Sequence, residues 1–137
     1  MSTQIHQATI RDLHLLVDVF DQYRIFYGEP SDKQSAETFL FDKFEHNESV
    51  IFIARDEKFT YSAGFTQLYP IFSSVSLKRK WLLNDLFVVK AFRKQGVAER
   101  LMNAAKDFAI RTKSKGLELS TSSDNVPAQK LYGVWGT

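Results

Sequence analysis

The stretch Leu83-Asn84-Asp85-Leu86-Phe87-Val88-Val89, running through Lys90-Ala91-Phe92 into Arg93-Lys94-Gln95-Gly96-Val97-Ala98, decides the fold. Its first part is largely apolar and reads as a buried strand. After Gly96 the period becomes helical, with Val97, Leu101, Ala104, Ala105 and Phe108 on one face up to about Thr112. A strand that passes through a short basic loop into a helix leaves the first N–H groups of that helix without intrahelical acceptors, at the positive end of its dipole. Such a place suits an anion. Gly96 has no side chain to hold a phosphate off the backbone, and Ala98 is nearly as small. Lys90, Arg93 and Lys94 add positive charge around it. The spacing matches neither a Walker phosphate loop nor the G-x-G-x-x-G dinucleotide turn, so neither of those nucleotide folds is supported.

Working outward, Gly116 stops the helix and Leu117–Thr121 reads as a further strand. Strands 81–89 and 117–121 flank one helix, which predicts a parallel pair joined by a right-handed crossover. Upstream, Val50–Arg55 and Phe59–Tyr69 are extended segments separated by the polar turn Asp56-Glu57-Lys58. Pro70 is expected to end the second, and residues 71–79 to form a Ser-rich connection. These three strands have short connections and are expected to be antiparallel. Before them, Gln4–Ala8 is a candidate first strand, and Thr9-Ile10-Arg11-Asp12 resembles a capping box. Leu13, Leu16, Val17 and Phe20 follow at helical spacing until Gly28-Glu29-Pro30. Ser31 or Asp32 caps a second helix whose buried face is predicted to be Ala36, Phe39, Leu40 and Phe44. The fold class is therefore α/β (α+β): a mixed, mostly antiparallel central sheet with helices on both faces, in a single domain over residues 1–137.

Composition narrows the function. The chain carries a formal charge of +2 with 44% hydrophobic and 25% charged residues, which suits a globular domain and is too mild for a nucleic-acid partner. There are no cysteines, so disulfides, cysteine-based zinc sites and an acyl-cysteine are excluded. No metal site is expected. No basic start leads into an apolar run, and no apolar run approaches the roughly 20 residues of a membrane span. The expectation is a cytoplasmic protein.

Arg93-x-x-Gly96-x-Ala98 behind an apolar strand resembles the signature of the GCN5-related N-acetyltransferases (the GNAT family), whose turn grips the pyrophosphate of coenzyme A. Downstream, Asp124-Asn125-Val126-Pro127-Ala128-Gln129-Lys130-Leu131-Tyr132 resembles the family's second cofactor segment. The resemblance implies acetyl-CoA as acetyl donor and a primary amine of a small molecule or peptide as acceptor. It places Arg93, Lys94, Gln95, Gly96, Val97 and Ala98 at the diphosphate. Main-chain groups of Phe87, Val88 and Val89 would meet the pantetheine and thioester, and Asn125 the pantetheine arm. Lys130 joins the cofactor set, and Tyr132 becomes the general acid for the departing thiolate.

For the base, the carboxylate that some relatives carry in the strand is replaced here by Asn84. Asp85, beside it, is either catalytic or buried and structural, and Glu29 and Asp32 are the other candidates. Tyr27, Glu29, Tyr69 and Phe72 are expected to line the acceptor site, with Tyr23 and Trp81 in the same aromatic cluster. The chain is C-terminally short of the family's final strands, so the strand at 117–121 is expected to have an open edge and to support a homodimer. Two other readings stay open at this point. One is a catalytically impaired coenzyme A-binding module, and the other an interaction domain with neither ligand nor chemistry.

Overall fold

A computed structural model describes residues 3–120. Its sheet has five strands in the order β1-β2-β3-β4-β5. These are β1 Gln4–Gln7, β2 Val50–Arg55, β3 Ser62–Ser73, β4 Lys78–Val88 and β5 Leu117–Leu119. The first four pair antiparallel in sequence, and β4 pairs with β5 in parallel. Helices α1 Leu13–Phe26 and α2 Lys33–Glu45 cover one face, and α3 Val97–Arg111 covers the other. Each face has its own core. Leu16, Val19, Phe20, Leu40, Ile53 and Phe65 fill the α1–α2 side. Leu68, Trp81, Leu83, Leu101, Ala105 and Leu117 fill the α3 side. The expected mixed sheet with helices on both faces is what the chain adopts.

Polar residues fix the element ends. The Thr9 N–H donates to Asp12 Oδ2 at 2.9 Å, and Thr9 Oγ1 accepts from the Arg11 N–H at 3.3 Å, which starts the turn ahead of α1. The other oxygen of buried Asp12 accepts from Arg55 Nε at 2.7 Å, pinning the head of α1 to the end of β2. Asp32 caps α2 by accepting from the Ser35 N–H. Buried Asp21 accepts from Ser31 Oγ at 2.7 Å and from the Asp32 N–H at 2.8 Å, so α1 itself holds the loop that leads into α2.

Three expectations are corrected. Strand β3 begins at Ser62 rather than Phe59, because Phe59 takes a left-handed φ of 59° in the preceding turn. It then runs past Pro70 to Ser73, and Pro70 faces Trp81 of β4. Strand β2 ends opposite Leu68, so beyond that point β3 has a neighbour on one side only, where the missing proline N–H is tolerated. Consequently β4 starts at Lys78, and the connection shrinks to a turn over 74–77. On α2 the buried residues are Ala36 and Leu40, whereas Phe39 is 40% exposed and stacks on Phe20 with ring centroids 5.7 Å apart.

The most consequential irregularity lies in β4. Gln67 pairs with Asp85 and Leu68 with Leu83, so Asn84 is an extra residue, a β-bulge. Without it, side chains would alternate strictly. With it, Trp81 and Leu83 face α3, as do Leu86 and Val88, while Phe87 joins the α1–α2 core. The phase of the strand changes at Asn84-Asp85.

Candidate active site

The turn between β4 and α3 begins with a short 3-10 turn over Lys90–Phe92. Lys94 has φ 64° and Gly96 φ 80°, so two left-handed residues reverse the chain just before α3. Gly96 is the N-cap of α3, and no side chain caps the helix. Among the described residues, no acceptor meets the N–H groups of Gln95, Gly96, Val97 or Ala98. A Cβ built on Gly96 would find nothing within 4 Å. Bare amides, a helix dipole and an open approach thus coincide where the sequence placed the anion, and these residues fit a diphosphate.

Arg93 has a second attachment. Its Nε donates to the Val88 carbonyl at 2.9 Å, and its guanidinium lies 5.5 Å from the Phe26 ring centre and 5.6 Å from that of Phe87. The side chain therefore braces the turn against the end of β4 and the last turn of α1. Lys94 and Lys90 are exposed, and Gln95 donates back to the Ala91 carbonyl at 3.2 Å.

Beside this turn, β4 meets β5 along its outer edge. Their pairing covers only Trp81–Leu83 against Leu117–Leu119, followed by the Ser120 N–H to the Leu83 carbonyl at 3.0 Å. Beyond Leu83 the outer edge of β4 has no strand partner among the described residues. The Val89 N–H donates to the Ala63 carbonyl at 2.8 Å, so by alternation Phe87 also turns its backbone toward β3, and Val88 turns away. Of the expected trio Phe87, Val88 and Val89, only Val88 presents its amide to the open side, and its carbonyl is taken by Arg93. The same alternation adds Leu86, which the sequence reading did not name.

Gly64 makes this close geometry possible. It pairs with Val88, and a Cβ there would lie 2.5 Å from the Phe87 carbonyl oxygen and 3.2 Å from Val88 Cα. Only glycine lets β3 approach β4 this tightly opposite Val88.

On the α1–α2 face, the bulge turns two neighbouring polar side chains to the same side. Asn84 Nδ2 lies 3.1 Å from Asp85 Oδ2, which strict alternation would forbid. Asp85 is 8% exposed and accepts two further bonds, from Tyr23 Oη at 2.7 Å and from Gln67 Nε2 at 2.8 Å. Ser49 Oγ donates to the far oxygen of the Gln67 amide at 2.9 Å. Burial and then the negative charge of Asp85 push the Tyr69 phenol up to about 12, with Glu48 adding to the effect. Tyr69 thus keeps its proton at neutral pH.

The expected acceptor residues separate into two groups. Tyr27, at the end of α1, makes an edge contact with Tyr23 at 5.1 Å, and Glu29 pairs with Arg24 at 3.5 Å. With Tyr69 they share the α1–α2 face. Phe72 does not join them, because residues three apart on a strand face opposite sides. It is 72% exposed and lines a groove at the β3–β4 hairpin with Thr112 and Lys113. Trp81 is buried in the α3-side core, with its indole donating to Thr112 Oγ1 at 2.9 Å. Asn125, Lys130 and Tyr132 lie outside the described residues. Sequence reasoning missed Gln67 and Ser49, although a glutamine inside an apolar strand was a visible signal.

A mixed sheet whose fourth strand leads through a basic turn into an uncapped, glycine-led helix, together with the relatives below, makes this an acetyl-CoA-dependent acetyltransferase. The chain belongs to the acetyltransferase (GNAT) family, whose sequence pattern matches residues 16–136. It is 49% identical over 128 residues to the uncharacterized N-acetyltransferase YhfO of Bacillus subtilis (strain 168), covering 93% of this chain and 85% of that one. It is 35% identical over 114 residues to a protein of Haemophilus influenzae (strain ATCC 51907 / DSM 11121 / KW20 / Rd) named "Probable acetyltransferase", covering 83% and 77%. A crystal structure of a protein named a probable acetyltransferase superposes with a TM-score of 0.90 at 44% identity, covering 98% of this chain and 89% of that one.

Proposed function

We propose that the protein moves an acetyl group from acetyl-CoA to a primary amine of a small molecule or peptide by direct attack, with the residues above in the following roles. The observation that carries this reading is the row of amides from Gln95 to Ala98 at the head of α3, which meet no acceptor among the described residues. These amides hold the negative charge of the diphosphate, with Lys90 and Lys94 as mobile counter-charges. Arg93 acts through its brace on Val88, Phe26 and Phe87. Bound acetyl-CoA supplies an acetyl group activated as a thioester.

The outward N–H of Val88 is the donor for developing negative charge on the acetyl oxygen, an interaction worth roughly 3 kcal/mol when preorganised. Asn125 and Lys130 complete the cofactor side. The phenol of Tyr132 holds the proton that a departing thiolate needs. The acceptor approaches along Tyr27, Glu29 and Tyr69. An alkyl amine, with a pKa near ~10, arrives protonated and must lose a proton before it attacks, with ordered water as the carrier.

Cytoplasmic residence belongs to the same proposal, since the donor is a metabolite of the cell interior. Homodimerisation is also part of the proposal, and light scattering across a concentration series tests it. Among the described residues, no helix is long and apolar enough to cross a membrane.

Thiol release from acetyl-CoA across a panel of amines tests the reaction, and melting with and without coenzyme A tests the site. We expect amine-dependent thiol release and an upward shift in melting temperature that grows with ligand concentration. A protein whose melting is indifferent to saturating coenzyme A would remove the proposal.

A further inference from the structure

We infer that Asp85 is an anionic subsite that selects an acceptor carrying a second positive charge, such as a diamine or longer polyamine, and is not the base for the reacting nitrogen. This deepens the proposed function and rests on it. Three observations on the α1–α2 face carry the inference.

The first is how the carboxylate is held. Its oxygens accept from Tyr23 Oη at 2.7 Å, Gln67 Nε2 at 2.8 Å and Asn84 Nδ2 at 3.1 Å. All three partners are neutral donors, so the carboxylate is held by hydrogen bonds from uncharged groups. Gln67 is itself oriented, since Ser49 Oγ donates to its oxygen and leaves its NH₂ for Asp85.

The second is that no cation among the described residues forms an ion pair with it. Lys43 pairs with Glu48, Arg24 with Glu29, Lys33 with Asp18 and Arg55 with Asp12. Among the described residues no lysine or arginine forms an ion pair with Asp85, although only 8% of it is exposed. A largely buried charge without a counter-charge is unfavourable, and a cationic ligand relieves it.

The third is the surrounding chemistry. The Tyr23 and Tyr27 rings meet edge to face at 5.1 Å, and half-buried Tyr69 lies near enough to feel the Asp85 charge. Aromatic faces beside a fixed carboxylate suit an ammonium group.

These observations also separate the two possible roles. A nitrogen that attacks a thioester must be neutral. A carboxylate whose two oxygens already accept from Tyr23, Gln67 and Asn84 is placed to attract a nitrogen that stays charged, which is the second amine of the substrate and not the reacting one.

The test compares an α,ω-diaminoalkane with the n-alkylamine of equal chain length, both titrated calorimetrically into the full-length chain. The expected result is that the diamine binds the wild type about tenfold tighter or more, and that this ratio collapses toward one in Asp85→Asn. Asn84→Ala, which removes a neutral donor and leaves the charge, keeps the preference. Equal affinity for the two amines in the wild type overturns the inference, as does an undiminished ratio in Asp85→Asn. The ratio is taken within one preparation, so a smaller folded fraction cancels, and the wild-type ratio decides the matter if Asp85→Asn does not fold. Thiol release is measured separately. Its absence across the whole amine panel defeats the proposed transfer to an amine whatever the affinity ratio.

Discussion

Tyr23 Oη donates to Asp85 Oδ1 at 2.7 Å, joining the last turn of α1 to the bulge of β4 across 62 positions of sequence. The bond fixes the helix that carries Tyr27 against the strand that carries Val88, and so sets the acceptor side relative to the cofactor side. Tyr23 also meets Phe65 and Phe87 edge to face at 5.4 and 5.7 Å, so its ring is held on the sheet as well as its hydroxyl.

Removing only that hydroxyl isolates the bond. Tyr23→Phe is expected to lose about 2 kcal/mol of stability, the range for a hydrogen bond to a charged group. Urea denaturation followed by far-ultraviolet circular dichroism measures it. A loss below about half a kcal/mol would show that water replaces the phenol without cost.

Gly64 tests how tightly β3 and β4 must approach. In Gly64→Ala the new carbon lies 2.5 Å from the Phe87 carbonyl oxygen, a backbone atom that no side-chain rotation can relieve. We expect at least about 2 kcal/mol of destabilisation and weaker acetyl-CoA binding, because the strand must shift where Val88 turns outward. Denaturation and calorimetry measure the two effects. An unchanged variant would mean that the strands tolerate wider spacing.

Gly96 separates ligand access from folding. Its φ of 80° strains any L-residue by roughly 1 kcal/mol, yet a Cβ there meets nothing within 4 Å. Gly96→Val is expected to stay folded, with a modest drop in melting temperature, and to lose acetyl-CoA affinity by about tenfold or more, because the branched side chain covers the amides of α3. Normal affinity in a folded Gly96→Val protein would place the diphosphate elsewhere.

Asp56 governs part of the acid stability. Burial works to raise its pKa, but the Thr60 hydroxyl and the N–H groups of Tyr61 and Thr60 donate to the carboxylate and together bring it down to about 2. The folded value therefore lies below the ordinary 3.8, so between the two the unfolded chain binds more protons. The stabilisation is complete above about pH 4 and is lost as pH falls toward 2. Asp21, lowered chiefly by its Ser31 hydrogen bond, acts in the same direction. Melting temperature measured from neutral pH down to about pH 2 should fall in that window, and more shallowly in Asp56→Asn. Equal slopes for the two proteins would remove Asp56 from the account.

The sequence by itself determined the order of elements, the parallel pairing of β4 with β5 and the glycine-led turn into α3 at Gly96. These are local matters: hydrophobic period, capping residues, and a glycine that leaves amides bare at the head of a helix. Only the tertiary structure decided which residues of β4 face where. An apolar strand with Asn84-Asp85 in its middle does not announce a bulge, since a bulge is a mismatch between two strands and neither shows it alone. Once β3 sets the register, Asn84 is the odd residue. The phase then reverses, Asp85 meets Tyr23 and Gln67, and Val88 alone of the expected trio turns outward. The same cause removed Phe72 and Trp81 from the acceptor side, because the face on which a ring falls is settled by pairing across the sheet and not by its presence in the chain.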